Sequence, residues 1–318
     1  MSLTRQLGIE VPLICGAMYP CSNPELVAAV SAAGGIGVVQ PLSMIYVYGH
    51  DLREGFRLIR RITDKPIGMN VLIERSSKFY LDRMKGWLDV ALEEGVRFFV
   101  TSLGNPRWVV DRVAPLGGVV YHDVTERKWA DKGLAAGVHG LIAVNNRAGG
   151  HAGPKSAAQL LDELTDLGVP LVCAGGVGDE TAFAAALAAG YAGVQMGTRF
   201  IATDECGAHD DYKQAIVAAT EADIVLTERV TGVPLAVIRT PYVERIGLKA
   251  GPIARWMLRG RRTKHWMRTI YALLSMRKLK HSLHTARGRD DYWQAGRSVA
   301  GIDEVLPVAE VIRRMTAA

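Results

Sequence analysis

The stretch of this chain best suited to chemistry is a histidine set among glycines, Ala148-Gly149-Gly150-His151-Ala152-Gly153. It follows the apolar run 140–144, which reads as a buried strand, and then Asn145, Asn146 and Arg147. Glycine at a strand end removes the Cβ that would keep a ligand from the backbone. Histidine titrates near neutral pH, so at such a mouth it can move a proton or orient an anionic substrate. A glycine turn that carries a histidine by chance has the same local pattern, so the elements around it decide between the two.

Two more glycine elements follow. The run 171–174 leads into Gly175-Gly176, with a helix expected from Asp179 or Glu180, and the run 194–196 leads into Gly197-Thr198. Strand-to-helix turns of this kind present backbone N–H groups to phosphate. No GxGxxG follows the first strand candidate, which disfavours a Rossmann dinucleotide site.

These loops sit in a regular alternation of short aliphatic runs and helical spacings. The strand candidates are Pro12–Cys15, Gly35–Val39, Ile67–Leu72, Phe98–Thr101, Gly118–Tyr121, Leu141–Val144, Leu171–Ala174 and Val194–Met196. Helix candidates include Asn23–Ala33, Asp51–Thr63, Ser156–Leu167 and Glu180–Ala189, the first opening with Asn23 as N-cap and proline at the next position. Eight such units predict an α/β fold, a (β/α)8 TIM barrel whose site lies at the C-terminal strand ends. Gly16-Ala17-Met18, Asn70, Thr101–Asn105, His122 and the three glycine loops all fall there.

The chain has 318 residues, enough for one large core, and is 49% hydrophobic but only 7% aromatic, as suits buried parallel strands. The first ten residues lack the apolar core of a signal peptide. The alanine-rich stretch 182–192 is shorter than the roughly 20 residues a membrane span needs. Cys15, Cys21, Cys173 and Cys206 show no metal spacing, and Cys15 and Cys173 read as core residues. No metal site is expected, and a reducing cytoplasm is the expected compartment.

The assembled motifs resemble the nitronate monooxygenase family of FMN-dependent barrels (2-nitropropane dioxygenase-like). The resemblance rests on Gly16-Ala17-Met18, Gly68-Met69-Asn70, Ala148–Gly153, Ala174-Gly175-Gly176, residues 196–200, and the element 291–296 with Gln294. It implies FMN as cofactor, with Gly175, Gly176, Gly197 and Thr198 at its phosphate. Gly16, Ala17, Met18, Asn70, His122, Gly149, Gly150 and Gln294 would lie around the rest of it, and His151 would position or deprotonate the substrate. The implied reaction is oxidation of an alkyl nitronate with O2. FMN-dependent enoyl-thioester reductases and NADH:quinone reductases share most of these motifs, so an NAD(P)H-dependent reduction of a CoA or carrier-protein thioester, or of a quinone, stays open. A barrel that binds FMN without turnover is the third reading. Asp123, where some relatives carry lysine beside the histidine, and Arg147, where several carry an acid, depart from the pattern. Arg147 is read either as an attractor for an anionic substrate or as a solvated loop charge.

The net charge of +6 has a single source: thirteen Lys/Arg and no Asp or Glu lie between Arg245 and Arg289. The chain therefore reads as a barrel over 1–206, a basic helical cap over 207–287 and a segment 288–318 that returns to the barrel. Within the cap, Tyr212–Ala222 reads as helix, Ile224–Thr227 as a short strand or linker, and Arg255–Leu283 as one or two helices. Trp266, Ile270, Leu273 and Leu274 would form the apolar face of that last stretch. A small nitronate needs no basic platform. CoA phosphates, an acidic carrier protein or an anionic membrane surface would use residues 255–280. No nucleic-acid motif is present, and association into an oligomer stays open.

Overall fold

The computed structural model describes residues 2–74, 78–251, 274–287 and 291–317. The eight expected strands are all present as β1 (Leu13–Cys15), β2 (Ile36–Val39), β3 (Gly68–Leu72), β4 (Phe98–Ser102), β5 (Val119–Val124), β6 (Gly140–Val144), β7 (Leu171–Ala174) and β8 (Gly193–Met196). They close into a barrel in chain order, each paired in parallel with its neighbours and β8 with β1. The main boundary difference is at β5, which runs to Val124 and so carries His122 and Asp123 inside the strand.

Side chains alternate across a strand, so each strand feeds two layers. Ile14, Ile36, Val38, Phe98, Val100, Tyr121, Ile142 and Val172 fill the barrel interior. Leu13, Val39, Met69, Phe99, Val120, Leu141, Cys173 and Val194 face the surrounding helices. Each fully buried aliphatic or aromatic side chain contributes about 1.5–3 kcal/mol. The N-terminal helix α1 (Leu3–Leu7) was not among the expected elements; its Leu3 and Leu7 join the interior layer beneath the strands.

The helix α2 (Pro24–Ala32) lies close on β2 because Gly37 has no side chain: a Cβ there would stand 2.2 Å from Val27 O. Asn23 occupies the N-cap of α2 but makes no capping bond. Its Nδ2 instead donates to Glu25 Oε2 at 2.7 Å and Glu205 O at 2.8 Å. The remaining crossovers are α3 (Leu52–Ile62), α4 (Lys78–Glu93), α5 (Arg107–Val113), α6 (Arg127–Ala135), α7 (Ala157–Leu164) and α8 (Glu180–Ala188).

After β8 come a short helix α9 (Thr198–Ile201) and α10 (Asp210–Ala218). The cap is not purely helical. Ile224–Thr227 is a strand, β9, paired antiparallel with Leu235–Ile238, β10. The second of these was read as part of the helical cap because four apolar residues give no period of their own. Residues 274–283 are helical, while Trp266, Ile270 and most of the expected basic platform lie outside the described residues. Leu274, expected on that apolar face, is 46% exposed. The terminal helix Val308–Ala317 packs back against α2 and α8, which returns this end of the chain to the barrel. Among the described residues no helix is long and apolar enough to cross a membrane.

Candidate functional site

The loops after β6 and β7 are locked together by Asn145. This fully buried amide donates through Nδ2 to Gly175 O at 2.9 Å and accepts Arg147 N–H at 2.8 Å. The approach is so close that a Cβ on Gly175 would stand 2.5 Å from Ala148 N. Gly175 also has φ +116, in the region that only glycine adopts without strain.

The segment 294–297 closes the same point from above. Gly296 N donates to the Thr198 hydroxyl at 2.9 Å, and Arg297 N to Arg147 O at 2.9 Å. A Cβ on Gly296 would meet Gly149 N at 2.5 Å. Among the described residues the N–H groups of Gly176, Gly197 and Thr198 have no acceptor. The Arg147 side chain crosses Gly176, its Nε 2.7 Å from where a Cβ would be. Unspent amide donors at two adjacent strand ends make an anion cradle.

Arg147 itself is neither a free attractor nor a solvated loop charge. Its guanidinium grips the Glu221 carboxylate with both terminal nitrogens, tying the β6 loop to the cap.

His151 stands at the exposed end of its loop, where Gly150 O accepts Ala236 N–H at 2.9 Å and stitches the loop to β10. Its Nε2 is 3.2 Å from Thr231 Oγ1. The Thr231 hydroxyl proton is donated to Val233 O at 2.9 Å, so Nε2 must supply the proton of the first bond. Nδ1 is then the free basic nitrogen. The protein around the ring desolvates it and lowers its pKa, which keeps it neutral and able to accept a proton at neutral pH.

On the β1 side, Gly16 N donates to Met196 O at 3.0 Å, and Ala17 packs against the interior layer. Met18 is fixed by Ser22 and Ser43, with Sδ 3.3 Å from a Cβ placed on Gly197. Gln294 Nε2 donates to Tyr19 O at 2.9 Å and its Oε1 lies toward Gly150. Asn70, an inward residue of β3, makes no side-chain hydrogen bond among the described residues. Ten expected cofactor residues other than Asn70 and His122 thus belong to loops and segments at one end of the barrel, together with His151.

His122 is the exception. Strand alternation turns it outward, its Cδ2 3.2 Å from a Cβ built on Gly133 of α6. Its Nδ1 is 2.9 Å from Thr101 Oγ1, and burial lowers its pKa to about 4. It is a neutral packing residue and does not face the mouth. The extension of β5 explains the correction: a strand ending at Tyr121 would have released His122 into the loop.

Three polar residues at the mouth were not singled out as ligands. Asn145 could have been suspected as the polar residue that ends a buried run. Gln195 and Asp123 alternate with outward neighbours and therefore face inward. Each has a side-chain oxygen, Gln195 Oε1 and Asp123 Oδ1, that is buried without a partner. Desolvation raises the Asp123 pKa to about 7. Among the described residues no cluster of His, Cys, Asp or Glu could hold a metal ion, and all four cysteines are buried and free.

The (β/α)8 barrel, with an anion cradle at β7 and β8 and a histidine over its mouth, is the arrangement of a barrel enzyme that takes a phosphate-bearing ligand, and the family it falls in is one of oxidoreductases. The chain belongs to the nitronate monooxygenase family, whose model matches residues 1–318. It is similar to the (3aS,4S,5R,7aS)-5-hydroxy-7a-methyl-1-oxo-octahydro-1H-indene-4-carboxyl-CoA dehydrogenase of Mycobacterium tuberculosis, 30% identical over 92% of this chain and 80% of that protein. A probable nitronate monooxygenase of Staphylococcus saprophyticus is 28% identical over 77% of this chain and 80% of its own length. Among solved structures, FabK from Thermotoga maritima is 29% identical, covers 100% of this chain and 95% of its own, and superposes with a TM-score of 0.81.

Proposed function

We propose that this chain is an FMN-dependent oxidoreductase that exchanges electrons with a CoA-type thioester. The observation that carries the substrate class is the helix 274–283 at the barrel mouth. Its Met276 O accepts the Tyr19 hydroxyl at 2.9 Å and its Lys280 Nζ donates to Tyr46 O at 2.6 Å. Arg277 and Lys280 are exposed there and form no ion pair among the described residues. Fixed cations beside a cleft raise the local concentration of a polyphosphate ligand and hold it in place. The similarity to a CoA-ester dehydrogenase supports the same substrate class.

The residues present fit FMN. Unspent N–H groups at Gly176, Gly197 and Thr198 suit its phosphate. The partnerless oxygens of Asp123 and Gln195 suit a polar ring over the strand ends. When bound, the flavin supplies the electron transfer, in either direction between the substrate and a second partner such as NAD(P)H. The chain's own part is to position and to move protons. His151 Nδ1 takes a proton from, or returns it to, the reacting oxygen or α-carbon of the substrate, while Thr231 and Gly150 fix the ring. Leu103, 56% exposed with φ +61 at the end of β4, offers an apolar contact for the acyl part.

Anaerobic mixing tests the reading. The flavin spectrum is expected to change on addition of a CoA thioester or of NAD(P)H followed by one. Arg277→Glu with Lys280→Glu is expected to raise KM for the CoA ester about tenfold, leaving KM for the same acyl group on N-acetylcysteamine unchanged. Parallel changes in both, or in neither, overturn the docking role. Bleaching by an alkyl nitronate and by no thioester overturns the substrate class in favour of nitronate oxidation, the second reading, which the family match favours.

A further inference from the structure

Among the described residues, the inner wall of the barrel carries one acidic side chain. On β1–β4 and β6–β8 the inward positions are glycine or apolar, hydroxyl or amide residues, Asn70 and Gln195 among them. On β5 the inward residues are Val119, Tyr121 and Asp123. Asp123 keeps some accessible surface toward the mouth, yet its Oδ1 is enclosed without a hydrogen-bond partner. It forms no ion pair among the described residues.

The titratable groups around it are committed elsewhere. The Tyr121 hydroxyl below donates to Gln6 Oε1 at 2.6 Å. His122 faces α6, His151 in the β6 loop is turned to Thr231, and Arg147 is paired with Glu221. Among the described residues no charge is aimed at the Asp123 carboxylate to hold it ionised, and desolvation raises its pKa. A carboxyl in such surroundings is more stable with its proton.

Protonation changes what the group can recognise. A carboxylate only accepts hydrogen bonds, whereas a neutral carboxyl presents an O–H donor beside a C=O acceptor. That pair matches the edge of a flavin ring, where a carbonyl oxygen stands next to an imide N–H. We propose that Asp123 is a neutral carboxyl that hydrogen-bonds the bound flavin ring, with the Gln195 amide on the same wall, so that cofactor binding requires its proton. The proposal rests on the FMN reading above and assigns to Asp123 a role in binding that does not depend on the substrate.

The consequence is a pH dependence of affinity with a fixed sign. A ligand that selects the neutral acid binds fully below the free-state pKa, about 7, and loses affinity as pH rises above it. The test is titration of the full-length apoprotein with riboflavin and with FMN between pH 6 and 9, followed by quenching of flavin fluorescence. Riboflavin removes the titration of the FMN phosphate. The wild-type dissociation constant for riboflavin is expected to rise about tenfold per pH unit above roughly 7.5. Asp123→Asn, which keeps a donor and an acceptor without titrating, is expected to bind with a flat profile. A flat wild-type profile, or an Asp123→Asn profile as steep as the wild type's, overturns the proposal. Infrared difference spectra provide a second readout that needs only soluble protein: a protonated-carboxyl C=O band in flavin-loaded wild type at pH 7, with its absence counting against the proposal. No uptake of either flavin by wild type at any pH overturns the cofactor reading itself, whereas uptake without pH dependence overturns only the role of Asp123.

Discussion

Around the mouth of the barrel, the β6–β8 side and the cap side hold their polar groups in opposite ways. On the first, Asn145, Gly175, Gly149 and Gly296 bring backbones within contact of one another, with the Asn145 amide and Gly296 N–H bonded and the N–H groups of Gly176, Gly197 and Thr198 left open. On the second, where the tip of the β6 loop meets the cap, His151, Arg277 and Lys280 are exposed and Thr231 is half-buried beside His151. A cofactor that stays needs one fixed geometry, which dense packing provides. A substrate that comes and goes needs access, and elements of low contact density permit it. On the proposed reading, the tightly packed side takes the cofactor and the open side the substrate.

The contrast can be broken at either side. Gly175→Ala has the largest expected effect, because a new Cβ would stand 2.5 Å from Ala148 N at a φ of +116. A loss of about 3 kcal/mol or more is expected, read as a fall in Tm together with loss of bound flavin. A variant with wild-type Tm and flavin content would show that the β6 and β7 loops are not locked. His151→Ala removes a group on the open side. Turnover is expected to fall about 10²–10⁴-fold with flavin content unchanged, and a parallel loss of flavin would erase the distinction between the two sides. The smallest effect is expected where the sides meet. Arg147 and Glu221 are 37% and 39% exposed, so their coupling in a double-mutant cycle is expected to be about 1 kcal/mol or less. A larger value would make the cap an integral part of the cofactor side.

The barrel and most of its mouth could be read from the chain because both rest on local rules. Short apolar runs separated by helical spacings specify parallel strands, and those of β1, β7 and β8 stop where a glycine begins. His151 stood out because a titratable residue among glycines is rare. What could not be read depended on where a strand ends or on a distant partner. The faces of His122 and Asp123 are set by β5 running to Val124, three residues past the expected end at Tyr121. Arg147 is paired with a residue 74 positions away, so no local pattern identifies Glu221 as its partner. Strand β10 carries only four apolar residues and is fixed by pairing with β9 and by its bond to Gly150.

The sequence by itself determined the eight strand–helix units, the glycine loops that end β6, β7 and β8, and the basic character of one segment, because periodicity, missing side chains and formal charge are properties of neighbouring residues. Only the tertiary structure decided that Asp123 faces an uncharged interior while His122 does not, that His151 keeps Nδ1 free, and that Asn145 holds two loops as one. Burial, tautomer and ion pairing depend on groups far apart in the chain, and they exist only once the barrel has closed.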